Sequence, residues 1–441
     1  MKKFLLLFLA LLFLQKLYSQ TIVWESEYLL SEPVMKSFCQ VIKDKDNNYV
    51  SIFRDVFQDI TTVNFIKYSI DGNLIRFDSI QKNFAISTGC FYETENGYRT
   101  YCGVNSDPFI MFTNMLPFII DYNMDGSIIN ESCPYELYNN DVIPQNTFKL
   151  KQERSNIINI GNCFYLAFEN PKVKIGNSTS EYKYHLILSK HDELGRIVWR
   201  SGFDTLDGIS NMLYLKDIQK TFSNNIATLT DKYKYGSGRS NTSILLMETD
   251  TNGKMLKKFV YEKDSLEIES DFFVALPDGG YIVKAHYYGS FNEFYWKIDS
   301  EGNIIKKAII PHHQNSNFTY LTDKMVLAQD GGVIMMGRHT FYDLPKLAND
   351  SLRFYLVKLN SELELEWEYE WHECIYQDES MIRDLMFLDN NNIIVTGCKD
   401  RFKFYIAQIH IGKTDVKENL PGRQACLSVR PQPFRDICEI T

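Results

Sequence analysis

The sequence lacks several features that would assign it to a common functional class. Its nine cysteines include no C-x-x-C pair, which argues against a structural zinc site and against a thiol redox motif. Positive charge is not in excess: the formal net charge is −9, and an acidic protein repels phosphate backbones, so nucleic acid is a poor partner. Beyond the N-terminal segment, no stretch is apolar over the ~20 residues that span a bilayer, so we expect no transmembrane segment.

The familiar catalytic motifs are also absent. No G-x-S-x-G nucleophile elbow occurs, and His372-Glu373 lacks the second histidine of H-E-x-x-H. Gly412-Lys413-Thr414 is not a phosphate-binding loop, because the first glycine of that motif would fall at Ala407. Asp192–Gly195, followed by Trp199, resembles a sialidase Asp box, but its Asp–Gly gap is one residue too long. The sequence therefore predicts no catalytic residue and no cofactor, and it leaves enzymatic activity open.

Met1–Gln20 has the features of a targeting segment. Two lysines precede the uninterrupted apolar run Phe4–Leu14, and the small residue Ser19 stands before a cleavage point. The run is too short to span a bilayer, which needs ~20 residues. Removal of the segment with its three lysines takes the net charge from −9 to −12. We therefore expect an exported protein that is extracellular or on the cell surface, or otherwise periplasmic.

The rest of the chain has the composition of a globular protein rich in aromatic residues. Its 441 residues exceed the ~250–300 residues at which single cores stop growing, so it contains several domains or a repeat. Hydrophobic residues make up 44% and charged residues 23%, both ordinary for a folded domain. Aromatic residues make up 14%, which suits half-buried pleated strands and favours β structure.

Two series of turn-forming residues alternate along the chain, and each has seven members. In the clearest copy, Asp271–Pro311, the turns Asp278–Gly280 and Ser300–Asn303 separate short strand-like runs. Glycine and asparagine suit the positive φ that tight hairpins require. The first turns end at positions 48, 97, 162, 225, 280, 332 and 392. The second turns are Asp71-Gly72, Asp125-Gly126, Glu193–Gly195, Thr251–Gly253, Glu301-Gly302, Ser361–Glu364 and Gly412–Thr414.

Four strands and two tight turns in a repeat of about 55 residues are typical of propeller blades. We therefore predict an all-β fold, a β-propeller of four-stranded blades with about seven blades, although six or eight are also compatible. Thr21–Leu30 resembles the fourth strand of other units, whereas the last unit has a third strand, Phe404–Ile409, and no fourth. We expect the N-terminal strand to fill that place and close the ring.

At these residues the chain resembles secreted bacterial β-propellers built from repeats of the type DGGYIV…KLD..G…W. The resemblance covers roughly Thr21–Val416 and implies a propeller domain over 21–416, after a signal peptide at 1–20. Residues 417–441 then form a linker and a second region of resemblance.

Leu427–Thr441, LSVRPQPFRDICEIT, is similar to the opening of the C-terminal sorting domain of type IX secretion cargo. Pro431, Pro433 and Phe434 match its turn, whereas the neighbouring Arg and Gln depart from the usual Tyr and Asn. The later strands of such a domain do not follow, so the chain is a fragment or its signal has decayed. An intact signal would imply the type IX secretion machinery as a partner.

Four further patterns resemble chemical sites. Cys90 and Cys102 lie symmetrically about Glu95–Gly97 and could form a disulfide across a hairpin, or else be small buried hydrophobes. Asp121–Ile128 matches the start of a calcium loop, but strand-like flanks and Ser132 at the twelfth position favour a hairpin turn. Weaker metal candidates are Asp44–Asn48 and His312-His313. The sequence therefore predicts no metal site.

Both turn series lie on one face of the predicted ring, so the other connections lie on the opposite face. These connections are predicted to be long, irregular loops at Arg54–Thr62, Cys133–Leu150, Glu169–Tyr182, Asp231–Asn241 and Arg338–Ser351. Propellers bind partners on such a face. The predicted ligand-binding residues are Tyr182, Tyr233, Tyr235, Arg239, Tyr287, Arg338, His339 and Tyr342. Aromatic rings with neighbouring arginines suit sugar or peptide recognition; alternatively, these rings pack their own loops.

Three functions remain open at this point. The first is an exported, non-catalytic propeller that binds a glycan or a protein through its loops. The second is a polysaccharide hydrolase or lyase, which needs two acidic residues converging at the centre. The acidic candidates are Asp55, Asp59, Asp204, Asp231 and Asp343. The third is a structural scaffold at the cell surface with no small ligand.

Overall fold

The computed structural model describes the chain in sixteen stretches. They are residues 20–29, 39–57, 60–82, 85–86, 89–105, 115–132, 157–174, 182–203, 211–236, 239–262, 268–287, 293–309, 318–341, 351–374, 381–399 and 403–412. The predicted targeting segment, the sorting-domain segment, His312-His313 and Tyr342 lie outside the described residues. Among the described residues there is no helix that could cross a membrane by its length and apolar character.

The described residues form 29 strands, arranged as seven antiparallel blades. Blade 1 holds β2 (Cys39–Lys43), β3 (Tyr49–Phe57), β4 (Ile60–Tyr68) and β5 (Leu74–Lys82). Blade 2 holds β6 (Ala85–Ile86), β7 (Cys90–Glu93), β8 (Gly97–Asn105), β9 (Met115–Asn123) and β10 (Ile128–Ser132). Blade 3 holds β11 (Ile157–Ile160), β12 (Cys163–Lys174), β13 (Tyr182–His191) and β14 (Ile197–Phe203).

The second half of the chain repeats the same order. Blade 4 holds β15 (Asn211–Lys220), β16 (Ile226–Gly236), β17 (Arg239–Thr249) and β18 (Met255–Glu262). Blade 5 holds β19 (Ile268–Ala275), β20 (Tyr281–Tyr287), β21 (Glu293–Ile298) and β22 (Ile304–Ile309). Blade 6 holds β23 (Phe318–Leu327), β24 (Val333–Phe341), β25 (Ser351–Leu359) and β26 (Leu365–Cys374). Blade 7 holds β27 (Met381–Phe387), β28 (Asn392–Lys399), β29 (Lys403–His410) and the N-terminal β1 (Thr21–Leu29).

The first strand of each blade lies innermost, and these inner strands contact one another in a complete cycle. Strand β2 contacts β7, which contacts β11, and the contacts continue through β15, β19, β23 and β27 back to β2. The ring is therefore closed, and the predicted β-propeller with seven blades is confirmed.

The N-terminal strand closes the ring as predicted. β1 pairs antiparallel with β29, from Thr21 opposite His410 to Leu29 opposite Lys403. The indole Nε1 of Trp24 donates a hydrogen bond of 2.9 Å to the side chain of Gln408. Blade 7 thus combines the first and the last described strands of the chain, and this gives the otherwise missing fourth strand.

The turns form where glycine and asparagine predict them, because they adopt positive φ. Gly72 has φ +80°, and a Cβ at this position would lie 2.4 Å from the ring of Trp24. Gly302 repeats this arrangement in blade 5, with φ +90° and Phe259 at 2.3 Å. In blade 6 the equivalent residue is Leu363, which holds φ 55° without being glycine. A glycine in the second turn therefore lets an aromatic residue of the adjacent blade pack on the backbone.

The hydrophobic core is a set of layers between neighbouring blades. Phe53 of blade 1 stacks on Phe404 of blade 7 with 4.6 Å between ring centroids. Tyr101 of blade 2 stacks on Phe164 of blade 3 at 4.3 Å. Each strand contributes alternate side chains to the two layers beside it, so the apolar residues recur every second position. The high aromatic content is used here, since flat rings fill the space between two pleated sheets.

Two of the predicted loops are wrong. Arg54–Thr62 belongs to β3 and β4, whose pairing continues to Phe57 opposite Ile60. Asp231–Asn241 belongs to β16 and β17, whose pairing continues to Gly236 opposite Arg239. Arg54–Thr62 does not alternate apolar and polar residues, so the pattern that identifies a strand is missing there. Lys232–Tyr235 does alternate, and the loop prediction did not take this into account.

The other predicted loops are shorter than expected or lie outside the described residues. Glu169–Lys174 is part of β12, and Arg338–Phe341 is part of β24. Cys133–Leu150 lies outside the described residues. A disulfide between Cys90 and Cys102 is also wrong. Cys90 lies opposite Tyr101 rather than Cys102, so the two thiols project from opposite sides of the hairpin into different core layers.

Candidate functional site

The two faces of the ring differ in their connections. The turns after the first and third strands of every blade lie together on one face, which we call the turn face. The opposite face, the loop face, carries the connections from second to third strand and from blade to blade. Each inner strand runs from the loop face to the turn face, so its early residues approach the loop face beside the central axis.

Four consecutive inner strands carry a β-bulge at the same position. In β15, β19, β23 and β27 one extra residue lies four positions before the end of the strand. The four extra residues are all charged: Lys216, Asp271, Asp323 and Arg383. A bulge leaves one residue out of the hydrogen-bond ladder and re-aims its side chain. The fold thus presents a row of charges along blades 4–7, which we call the bulge row.

The bulge row joins a chain of ion pairs that runs from blade 4 into blade 5. The Lys216 Nζ lies 2.8 Å from Asp231 Oδ2 and 3.7 Å from Glu269 Oε2. Glu269 Oε2 in turn lies 3.6 Å from Nε2 of His286, whose Nδ1 lies 2.9 Å from Asp271 Oδ2. Asp271 thus holds the imidazole ring through Nδ1, whereas Glu269 lies beyond hydrogen-bond distance of Nε2.

The chain continues through blade 5 to blade 6. The Lys284 Nζ lies 3.1 Å from Asp271 Oδ2 and 2.6 Å from Glu293 Oε1. Glu293 accepts a hydrogen bond of 2.9 Å from the hydroxyl of Tyr295. It also lies 3.4 Å from the hydroxyl of Thr322 in blade 6. We call the seven ionisable residues along this path the charge cluster: Lys216, Asp231, Glu269, Asp271, Lys284, His286 and Glu293.

Burial controls ionisation within the charge cluster. Asp231 is fully buried, and burial raises the pKa of its carboxyl although the Lys216 ammonium acts to lower it. Burial acts to lower the pKa of Lys284, but two carboxylates outweigh burial and the pKa is raised, so the ammonium stays charged at neutral pH. Burial and the neighbouring Glu293 hold the pKa of Tyr295 well above its usual value. Tyr295 therefore acts as a hydrogen-bond donor rather than as an acid.

Part of the charge cluster reaches the surface near the loop face. The side chains of His286, Glu269 and Asp271 are 25%, 18% and 15% exposed, whereas Lys216 and Lys284 are buried beneath them. Tyr287 follows His286 at the end of β20 and is half-buried, with its ring 5.0 Å from that of Phe294. The exposed portion thus offers carboxylate oxygens, an imidazole and one aromatic ring to a ligand.

The other two residues of the bulge row, Asp323 and Arg383, lie at the boundary between blades 6 and 7. Arg383 Nη1 lies 3.8 Å from Asp323 Oδ1. Lys324 forms an ion pair with Asp384, and Asp384 also accepts a hydrogen bond of 2.7 Å from the backbone nitrogen of Val41 in blade 1. Asp384 therefore joins three blades near the centre of the ring.

The structure brings the predicted ligand-binding residues to one face, across blades 3–6. Tyr182 starts β13, Tyr233 and Tyr235 lie in β16, Arg239 starts β17, Tyr287 ends β20, and Arg338 and His339 lie in β24. Tyr342 lies outside the described residues. The side chains described are those of Tyr287 and Arg338, and both are half-buried. That these residues bind a ligand stays a prediction.

The charge cluster was not predicted as a site, apart from Asp231, because its residues lie inside strands. In an alternating strand, isolated charges such as Lys284 in YIVKAHY are normally assigned to the solvent side. One signal was available in that run: Lys284 stands where every neighbour from Tyr281 to Ala285 is apolar, and all of them are buried. A charge within a strand buried on both sides requires a partner charge.

Metal ligation has no support in the described part of the chain. No group of three or more His, Cys, Asp or Glu side chains there is arranged to hold a metal ion. In the calcium-like segment, Asp121 pairs with Arg99 of the neighbouring strand at 2.5 Å. Asp125 accepts a hydrogen bond of 2.8 Å from the backbone nitrogen of Ser127, and Gly126 has φ +88°. The segment is the second turn of blade 2, so the hairpin turn favoured by the sequence is confirmed.

Comparison with known proteins gives similarity of fold only. No family model matches the chain, and no curated protein matches it either. Among solved structures, polysaccharide lyase Uly1 has 6% sequence identity and a TM-score of 0.45, covering 84% of this chain and 89% of that chain.

Two further solved structures show how varied the similar proteins are. The S. cerevisiae core factor has 10% identity and a TM-score of 0.42, covering 91% of this chain and 63% of that one. The Trypanosoma rangeli sialidase in complex with sialic acid has 9% identity and a TM-score of 0.41, covering 85% and 59%. Similarity at this level says nothing about ligand or activity.

Proposed function

We propose that the protein binds a glycan on its loop face, over blades 4–6, without chemically changing it. The observation that carries this proposal is the charge cluster, whose buried ammonium groups hold Glu269 and Asp271 at the surface. Asp271 in turn holds His286, which precedes Tyr287. Carboxylate oxygens and an imidazole accept hydrogen bonds from sugar hydroxyls, and an aromatic ring packs against the apolar face of a sugar. The ion pairs fix these groups before binding, which limits the entropy lost on association.

A glycan array followed by titration calorimetry tests this proposal. Glu269→Gln and Tyr287→Ala should each weaken binding of the best array ligand by about tenfold, in line with the loss of one well-placed interaction. Phe222→Ala is the matched control for the aromatic change, because Phe222 is 59% exposed and lies on the turn face. A blank array would contradict the proposal, and so would equal losses in the Phe222 control.

A second candidate function is a polysaccharide lyase or hydrolase, and His286 is the observation in its favour. Its Nδ1 lies 2.9 Å from Asp271, which is the arrangement that orients an imidazole for proton transfer. Turnover of an array ligand into shorter or unsaturated products, lost in His286→Asn with the ligand still bound, would establish this function. Binding without turnover in the unaltered protein would reject it. If neither binding nor turnover occurs, a structural scaffold remains.

We also propose that the protein acts outside the cytoplasm. The support is the targeting segment Met1–Gln20 and the resemblance of Leu427–Thr441 to a type IX sorting domain. Expression of the full chain in a bacterium with type IX secretion should give a product that starts near Gln20 and reaches the cell surface or medium. Replacement of Pro431 and Pro433 by alanine should retain it in the periplasm. Retention of the unaltered chain in the cytoplasm would contradict export.

A further inference from the structure

Arg338 is a half-buried arginine without a partner in the described part of the chain. Its Nε atom is buried and has no hydrogen-bond acceptor, and the guanidinium takes part in no ion pair there. Buried donors in folded proteins are nearly always paired with protein or water. A guanidinium carries five N–H donors and cannot lose its charge. Arg338 therefore has N–H donors that a bound molecule can use.

The strand register shows where Arg338 projects. Arg338 lies opposite Phe354, and Phe354 lies opposite Trp371. Paired residues on adjacent strands project from the same side of a sheet. Trp371 donates a hydrogen bond of 3.0 Å to the hydroxyl of Tyr405 in blade 7, and the Phe354 ring lies 5.7 Å from Tyr405. Arg338 therefore projects into the boundary between blades 6 and 7.

Arg383 reaches the same boundary from the other side. It is the bulged residue of β27 in blade 7, and its guanidinium extends to Asp323 of blade 6. At 3.8 Å this contact is an ion pair without a hydrogen bond, and the Nε of Arg383 is buried without an acceptor. Two arginines from adjacent blades thus each present an unused Nε donor at one boundary.

The charges at this boundary are unequal. Lys324 and Asp384 neutralise each other, and Arg383 is offset by Asp323, whereas Arg338 has no carboxylate. Glu25 and Glu27 of β1 also lie at this boundary, where they contact Tyr405, Lys399 and Lys403. Arg338 is thus a cation that no described carboxylate offsets. In the charge cluster of blades 4 and 5, by contrast, carboxylates outnumber ammonium groups.

We propose that Arg338 and Arg383 form a binding site for the carboxylate of an acidic sugar, so that the ligand is a uronate-containing glycan. This inference rests on the proposed glycan-binding function. A guanidinium offers paired N–H donors that match the two oxygens of a carboxylate. The acidic charge cluster repels a carboxylate and accepts hydrogen bonds from hydroxyls, so the arginines and the charge cluster together orient the sugar chain.

Calorimetric titration with trigalacturonate, its methyl ester and a sulfated neutral trisaccharide tests the site. The acid should bind about tenfold more tightly than the ester, and its affinity should fall as salt is added. Arg338→Gln and Arg383→Gln should each remove most of this preference, because they weaken binding of the acid far more than binding of the ester. Arg353→Gln is the matched control, because Arg353 is adjacent to Phe354 on the same strand, projects to the other side and pairs with Glu370.

Thermal melting separates this role from a structural one. Since Arg338 makes no hydrogen bond within the described residues, Arg338→Gln should leave the melting temperature unchanged or raise it. A marked fall in melting temperature would assign Arg338 to the fold and overturn the site.

The binding outcomes also separate this inference from the proposed function. Equal binding of acid and ester, or unchanged preference in both glutamine variants, overturns the carboxylate site but leaves glycan binding intact. Tighter binding of the sulfated trisaccharide than of the uronate overturns the assignment of a carboxylate. Failure of all three probes, together with a blank glycan array, counts against both.

Discussion

Asp231 and Lys216 form a buried ion pair on which the candidate site depends. The two side chains are 0% and 4% exposed, and the carboxylate also accepts hydrogen bonds from the backbone nitrogen and the hydroxyl of Ser270 in the next blade. The pair therefore fixes both the charge cluster and the contact between blades 4 and 5. Its value lies in avoiding an unpaired buried charge rather than in net attraction.

Asp231→Ala should lower the free energy of unfolding by about 3–5 kcal/mol, because it removes the nearer of the two carboxylates beside the buried Lys216 ammonium. Denaturant unfolding measures this loss. Combining it with Lys216→Met should restore much of the stability, since the buried charge is then absent. Asp46→Ala, at an exposed turn position, is the control and should stay within about 0.5 kcal/mol of the unaltered protein. A double variant no more stable than Asp231→Ala would contradict this account.

Asp44 gives the ring a dependence on acid pH. Burial acts to raise the pKa of this carboxyl, but hydrogen bonds from Lys67 and Tyr98 outweigh burial and the pKa lies below its usual value. The unfolded chain then takes up the proton more readily than the folded one. The stabilisation by Asp44 is therefore complete above the unfolded pKa of about 3.9 and is lost as pH falls through the lower folded value.

Asp44→Asn should accordingly be less stable than the unaltered protein at pH 7, and the difference should narrow as pH falls below about 4. Melting temperatures of both proteins across this range measure the effect. A difference that stays constant with pH would show that the Asp44 charge does not contribute.

At the scale of single elements, mutation can test how Trp24 of β1 packs on the second turn of blade 1. Gly72→Ala should destabilise by about 1 kcal/mol for its positive φ, plus about 1–3 kcal/mol for the clash with Trp24. In a chain lacking Thr21–Leu29, the clash is absent and the first contribution alone should remain. Denaturant unfolding of the two single variants and the combined one gives the coupling. An unchanged effect of Gly72→Ala without β1 would contradict the described packing.

Deletion of Thr21–Leu29 should itself lower the melting temperature of the whole ring. It leaves β29 as an unpaired edge and removes the layer between Trp24 and blade 1. Val23→Ser is the control, because Val23 is 53% exposed on the same strand. An unchanged melting temperature after the deletion would count against closure by β1.

Turns were predictable because they depend on a local property. Glycine or asparagine adopts positive φ in the first turns of blades 1 and 3–6 and in the second turns of blades 1–5. The predicted turn Gly412–Thr414 lies largely outside the described residues. Strand length was not predictable at the loop face. The β16–β17 pair continues past Asp231 to Gly236 and Arg239, although the glycines and serines at positions 236–240 favour a loop. The positions of the bulges could not be predicted either. Lys216 and Arg383 leave the hydrogen-bond ladder in the folded protein, but nothing in the sequence distinguishes them from residues that stay in it.

At the scale of the whole molecule, the cycle of inner-strand contacts predicts cooperative unfolding. Each blade is covered on both sides, so no blade can lose its neighbours without exposing two hydrophobic layers. Tryptophan fluorescence and far-ultraviolet circular dichroism should therefore give coincident thermal transitions, since the five tryptophans lie in blades 3, 5, 6 and 7. Transitions at different temperatures would show that blades melt independently.

The position of β1 also sets an order of events in time. Among the described strands β1 is synthesised first, and its partner β29 is the last. At about 5–20 residues per second, roughly 20–75 s of synthesis separate the two. During that interval β1 lacks its partner strand, and the first six blades cannot yet form a closed ring. The ring therefore closes only after β29 has been synthesised, and a nascent chain interrupted before β29 cannot close through this strand pair.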